Sequence, residues 1–242
     1  MPPHSSNKDG FANTKGFPCG KRIEGQYKNF FKKSKNSKKY EEQKELTPLH
    51  RVRSLKDVPL EFVGTEKLLN RLIQILNNVT EFAVDLEYSP YNVWLIQIST
   101  RTVDYIIDPI PLRSQIRTLN EPFENPNIVK VFHGGDNDIK WLSQAFEIRV
   151  SNMFDTWKAS EILKLQKHSY IGIVEKFCDV VLSKSCQRSD WKRRPLSSQQ
   201  IMYARCDTHF LLQCYDELLK RVQEEGKIQD MQEFSVKICG RY

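Results

Sequence analysis

Three short stretches of the chain carry the residues best suited to chemistry. In Phe82-Ala83-Val84-Asp85-Leu86-Glu87 the apolar and polar residues alternate as in a β-strand. Phe82, Val84 and Leu86 then share one face, while Asp85 and Glu87 project together from the other. Two carboxylates about 5 Å apart repel by roughly 3 kcal/mol at an effective dielectric near 20. A divalent cation removes that penalty, and hard oxygen ligands favour Mg²⁺ or Mn²⁺ over zinc. An isolated Asp-x-Glu is a common pattern, so this pair is half an argument. The second stretch, Tyr203-Ala204-Arg205-Cys206-Asp207, places a phenol and a carboxylate four residues apart, on one face of a helix. Taken alone it is equally a core-facing helix with a hydrogen-bonded Asp. The third, His133-Gly134-Gly135-Asp136-Asn137-Asp138-Ile139-Lys140-Trp141, reads as a strand end, a glycine turn and a helix start. Asp136 suits a cap or helix-dipole partner, which leaves Asp138 as the stronger metal candidate.

These stretches need elements to bring them together. Residues 65–77 repeat apolar positions at helical spacing behind a Thr65-Glu66 start. Strands are predicted over 82–87, 93–99, 103–107 and 129–132, with a turn at Ser89-Pro90. Helices are predicted over 136–145, 156–165 and 170–178, followed by one long helix over 198–222. Strands first, with helices around and after them, imply a single α/β domain over about 48–225. Residues 226–242 read as a short tail.

The charge is distributed unevenly. The chain has 37 Lys and Arg against 30 Asp and Glu, a net charge of +7, yet residues 1–47 alone hold 11 of the bases and five of the acids. The remaining body, with 26 bases and 25 acids, is nearly neutral and does not bind by bulk positive charge. The basic arm, densest at residues 30–39, lacks a sustained period and is expected to be disordered. A solvated tail, a nuclear import signal and an RNA-gripping arm all fit it. No run of 18 apolar residues is present to span a bilayer, and the first residues lack the apolar stretch of a secretory signal, so an intracellular protein is expected. Six cysteines without a Cys-x-x-Cys pair are expected to be reduced and largely buried.

Taken in order, Asp85-x-Glu87, a His-Gly strand end with Asp138-Ile139 in the next helix, and Tyr203-x-x-x-Asp207 resemble the DEDD exonucleases of the Tyr-bearing type. Gln97-Ile98-Ser99-Thr100-Arg101, Met153-Phe154-Asp155-Thr156, Asp190-Trp191 and Arg194-Pro195-Leu196 extend the likeness over about 48–225. They point to the branch that includes the catalytic subunit of the nuclear RNA exosome and, more distantly, ribonuclease D.

The resemblance implies a ribonuclease H-like exonuclease fold, a central mixed sheet flanked by helices. It also implies a monomeric 3′→5′ exoribonuclease that uses two Mg²⁺ ions, for which Mn²⁺ substitutes, and releases nucleoside 5′-monophosphates. Asp85, Glu87, Asp138 and Asp207 are the expected metal ligands, and Tyr203 completes the catalytic set by orienting a water that the metal acidifies. His133, Trp141 and Lys184 are the candidate RNA contacts, set against a strand-end hydrogen bond, a core indole and a solvated lysine respectively; Arg193 and Arg194 could lie along the RNA path. RNA is the expected substrate, in the nucleus and also the cytoplasm, with no membrane partner. The RNA exosome core is a further partner the resemblance suggests, although residues 226–242 leave no room for the complete HRDC domain of eukaryotic relatives, so the chain is expected to be a short member or a truncated form. Two other readings stay open: a DNA 3′ exonuclease of the same superfamily, and a non-catalytic RNA-binding module.

Overall fold

The structure is a computed structural model that describes residues 32–33, 54–90 and 92–242. Apart from the two-residue strand β1 (Lys32–Lys33), the expectations for the basic arm and for Cys19 lie outside the described residues. β1 pairs antiparallel with β8 (Val180–Val181).

The main sheet is mixed, as the α/β expectation requires. Its strands are β2 (Leu60–Val63), β3 (Glu81–Ser89), β4 (Asn92–Ser99), β5 (Asp104–Ile107), β6 (Val129–Phe132) and β7 (Met153–Asp155), in the order β2-β5-β4-β3-β6-β7. The hairpin strands β3, β4 and β5 pair antiparallel, whereas β2 joins β5, β6 joins β3 and β7 joins β6 in parallel. β2 and β7, short strands at the two edges of the sheet, carry no sequence expectation.

Alternation along β3 sorts the two faces of the sheet. Phe82, Val84 and Leu86 enter a core with α1 (Glu66–Leu76) and α3 (Asp136–Phe146), which supply Leu69, Leu72, Leu76, Ile139, Leu142 and Phe146. Thr65 caps α1 by accepting from the Leu68 amide at 3.4 Å, so the helix starts where its sequence signal lies. The opposite face carries α4 (Thr156–Ile162), α5 (Tyr170–Cys178), α6 (Ser198–His209) and α7 (Leu211–Glu224). α2 (Asn120–Glu124) is a short turn of helix before β6.

Two expectations need correction. The predicted long helix over 198–222 is two helices that part at Phe210, a residue that is 4% exposed. Nothing in the local sequence breaks it: α6 lies across β3, β4 and β5, while α7 packs on α4, α5 and β6, so the two segments dock on different neighbours. Residues 226–242, expected to form a tail, contain α8 (Ile228–Cys239), which buries Met231, Ser235 and Ile238 against the β7 edge. Ser235 Oγ accepts from the Met153 amide at 3.0 Å, which ties this helix to the last strand. Cys178, Cys186, Cys206 and Cys214 are free and buried and Cys239 is half-buried, in agreement with the expectation of reduced thiols.

Candidate active site

Local rules place each candidate side chain. β3 presents Asp85 and Glu87 on the face that α6 covers, and the antiparallel register sets Asp85 opposite Gln97 and Glu87 opposite Leu95. Immediately after Glu87 the register shifts, as at a β-bulge, and Tyr88 turns toward the rim. α6 begins with a capping box: Ser197 Oγ accepts from the Gln200 amide at 3.2 Å, and the Gln200 side chain accepts from the Ser197 amide at 3.0 Å. Starting the helix there brings Tyr203 and Asp207 over β3. The indole of Trp191 lies 6.0 Å from the Tyr203 ring and backs it from the loop before α6.

The glycine turn is held by a residue that sequence reasoning assigned no role. Asp155, 1% exposed, accepts from the Gly134 and Gly135 amides, each at 2.9 Å, and caps α4 by accepting from Trp157 and Lys158. Gly134 has φ +70°, and a Cβ on Gly135 would meet the Phe132 ring at 2.6 Å, so both glycines are required where they stand. The Met153-Phe154-Asp155-Thr156 motif was the available signal for Asp155. Next to it, the Thr156 hydroxyl donates to the Phe132 carbonyl at 3.0 Å. That leaves the hydroxyl oxygen, 2.9 Å from His133 Nδ1, to accept from the imidazole. His133 therefore carries its proton on Nδ1 and offers Nε2 as an acceptor, and burial pushes its pKa down to about 4.

A cleft of about 400 Å³ gathers Asp85, Glu87, Tyr88, His133, Asp138, Tyr170, Lys184, Tyr203 and Asp207. Oxygens of Asp85, Glu87 and Asp207 come within 4.8 Å of one another. Asp138, 7% exposed, faces them across the cleft. Among the described residues none of these four acids forms an ion pair with Lys, Arg or His. The electrostatics follow. Burial, then the Asp207 charge, raises Asp85 well above the ordinary carboxylate range. Burial, then Asp85 and Asp138, lifts Glu87 to about 9. Asp138 is raised by burial and then by Asp85, and Asp207 by burial and then by Glu87. Burial and the Asp207 charge also raise Tyr203, whose phenol stays protonated. A buried cluster of hard oxygen donors, mutually repulsive and uncompensated, suits a divalent cation.

Of the eight residues singled out from sequence, seven line the cleft. The exception is Trp141, which does not line it but packs 5.7 Å from the ring of Tyr88, which does. Tyr88 had no place among the candidates, because the shifted register that aims it at the rim has no local sequence signature. Arg194 is engaged within the fold: it grips Asp108 at 2.6 and 2.8 Å and donates to the Trp94 and Trp191 carbonyls, and it is not among the residues that line the cleft.

Comparison with known proteins matches residues 60–223 to a family profile described as 3′-5′ exonuclease. The chain is 46% identical over 177 residues to the Exosome complex component 10 homolog of Caenorhabditis elegans, an alignment covering 71% of this chain and 20% of that protein. It is 44% identical over 176 residues to the Exosome complex exonuclease RRP6 of Saccharomyces cerevisiae, covering 71% of this chain and 24% of that one. The chain thus spans about a fifth to a quarter of these curated relatives. Among solved structures, the catalytic core of RRP6 from Trypanosoma brucei superposes with a TM-score of 0.76 at 35% identity, over 91% of this chain and 59% of that one. Escherichia coli RNase D shares the fold, with a TM-score of 0.66 at 23% identity over 76% of this chain and 50% of that one.

Proposed function

The chain belongs to the 3′-5′ exonuclease family, and on that premise we propose that it hydrolyses single-stranded RNA from the 3′ end, one nucleoside 5′-monophosphate at a time. The observation that carries the reading is the convergence of Asp85, Glu87, Asp138, Asp207 and Tyr203 on one cleft. The 3′-5′ exonuclease domain of this superfamily depends on divalent metal, and the acidic cluster offers the donors for it. We take the metal to be Mg²⁺, with Mn²⁺ able to substitute.

Asp85, Glu87, Asp138 and Asp207 would hold the ions. A pair of divalent cations supplies activation of the attacking water and stabilisation of the leaving 3′ oxygen. Asp85, an electrostatic neighbour of the other three acids, would be the common member of that donor set. With its phenol protonated, Tyr203 orients the nucleophile by hydrogen bonding and is no general base. His133 Nε2, an acceptor, suits a sugar hydroxyl, and the exposed Lys184 suits a phosphate. Trp141 supports a base through Tyr88, whose ring stands between it and the cleft.

We place this activity in RNA processing and decay, in the nucleus, the setting that the exosome-component names of the relatives suggest. The proposed exonuclease domain is 48–225, with α8 packed onto its sheet. No helix among the described residues is long and apolar enough to cross a membrane.

The test uses 5′-labelled single-stranded RNA and DNA in parallel. RNA should shorten to a descending ladder that EDTA abolishes, and Tyr203→Phe should slow it on the order of 10²-fold. Shortening of DNA alone would replace RNA as the substrate, and no shortening with either metal would overturn the reading.

A further inference from the structure

Gln97 is the anomaly of the sheet. It lies in the interior strand β4, two residues before its end, and is 0% exposed, yet neither its Nε2 nor its Oε1 has a hydrogen-bond partner among the described residues. Buried polar side chains almost always find a partner, and leaving both ends of a carboxamide unpaired in the interior is costly. Every other buried residue in this part of β4 obeys the rule. Leu95, Ile96 and Ile98 are apolar, and Ser99 is bonded to Asp104 and Thr208 at 2.7 and 2.8 Å. A leucine at 97 would fill the same space, since Leu95, Ile106 and Ala204 make this an apolar patch beneath α6.

The register gives the amide something to do. Gln97 stands directly opposite Asp85 on β3, and partners across an antiparallel pair point to the same face. Its side chain therefore lies on the α6 side, beside the carboxylate that is the common neighbour of the acidic cluster. A carboxylate that gives up its proton to bind a cation still has lone pairs turned away from the metal. Those lone pairs need donors, and the described residues offer Asp85 the Leu86 backbone amide but no lysine, arginine or histidine. An uncharged donor such as a carboxamide supplies the hydrogen bond without competing with the cation for charge.

We propose that Gln97 is a positioning residue for the metal site: with a cation in the cleft, its Nε2–H, unpaired in the structure described, turns to donate to the Asp85 carboxylate from behind and fixes the orientation in which that carboxylate meets the cation. The proposal rests on the metal-dependent reading of the cleft. It concerns an amide behind the ligands, not a further ligand.

The experiment compares the full chain with Gln97→Met, which keeps length and volume but removes both polar ends. Two quantities are read: the thermal midpoint of metal-free protein, and Mn²⁺ affinity by calorimetry. The expected result is a split. Metal-free Gln97→Met melts at the same temperature as the parent or higher, because nothing bonded has been lost, while its Mn²⁺ affinity falls about tenfold, as for other groups that orient a ligand. An ordinary structural glutamine would give a lower midpoint and unchanged affinity, and unchanged affinity overturns the proposal. Should Gln97→Met not fold, a crystal structure of the parent chain with Mn²⁺ decides: Gln97 Nε2 out of hydrogen-bond distance of Asp85 also overturns it. Failure of the parent chain to bind Mn²⁺ overturns instead the metal reading beneath the proposal.

Discussion

Helix α6 overlooks two buried acidic regions that are built in opposite ways. On one side Asp207 joins Asp85, Glu87 and Asp138, and no base compensates them among the described residues. On the other side Asp104, 2% exposed, accepts from Arg205 Nε at 2.7 Å and from Ser99 Oγ at 2.7 Å, with His209 Nδ1 at 2.8 Å. Arg205 is itself tied to the Leu55 and Val58 carbonyls. Burial pushes Asp104 up, but the His209 hydrogen bond and charge and the Arg205 charge outweigh it, so Asp104 titrates below the ordinary carboxylate range. Burial pushes Asp85 up and its neighbours push further. The same helix thus supplies Arg205 and His209 to satisfy one acid and Asp207 to aggravate another. A buried acid that the protein pairs is a clamp. One that the protein leaves unpaired suits an external cation.

The most severe way to break this contrast is Asp85→Asn. Removing the shared carboxylate should bring metal-dependent RNA shortening to background and abolish stabilisation by Mn²⁺. The metal-free fold should meanwhile gain stability, since a repulsive group is gone. A urea titration that shows metal-free loss would mean that Asp85 is paired after all.

Asp104→Ala attacks the satisfied region. It strands the Arg205 guanidinium, 5% exposed, with no carboxylate, and should cost about 3–5 kcal/mol in urea denaturation. A loss comparable to that of a surface ion pair would show that the clamp is unimportant to α6.

Acid and alkali should separate the two regions without mutation. Glu87 titrates near 9 when folded against 4.5 as an ordinary side chain, so the folded state binds the extra proton. Its contribution is therefore harmless below pH 4 and becomes a growing penalty as pH rises toward 9, by at most about 1.4 kcal/mol per pH unit. Asp104, lowered when folded, stabilises the fold above the ordinary carboxylate range and loses that contribution as pH falls through its folded pKa. Metal-free chain should accordingly lose thermal stability between pH 5 and pH 9, and saturating Mn²⁺ should flatten that slope. A slope indifferent to metal would detach it from the cleft.

The smallest expected effect lies at a third acidic contact. Arg101 bridges Asp216 on α7, at 2.6 and 2.7 Å, and Glu81 on β3, at 2.7 Å, with its side chain 40% exposed. Solvent weakens such a pair, so Arg101→Gln should cost about 1 kcal/mol by the same urea measurement and leave metal affinity intact.

How much of this could be read in advance depends on the range of the signal. The face shared by Asp85 and Glu87 follows from strand alternation, and that shared by Tyr203 and Asp207 from helical spacing. Asp155 was visible in its motif, but its two contacts to the glycine turn were not, because that turn lies some 20 residues away in the chain. Tyr88 went unnoticed for a similar reason: the register shift that turns it belongs to the pairing with β4. The break at Phe210 and the docking of α8 have no local cue either, since both answer to layers that the neighbouring residues cannot see.

By itself, then, the sequence determined the acid pair, the phenol with its carboxylate, the glycine turn, and the order in which they occur. Those depend on spacing of a few residues, which backbone periodicity converts directly into shared faces. Only the tertiary structure decided that the three stretches meet in one cleft, that Asp207 faces away from bases while Arg205 and His209 face Asp104, and that Gln97 stands unpaired behind Asp85. Charge compensation and burial are sums over every element that packs around a group, and no window of sequence contains them all.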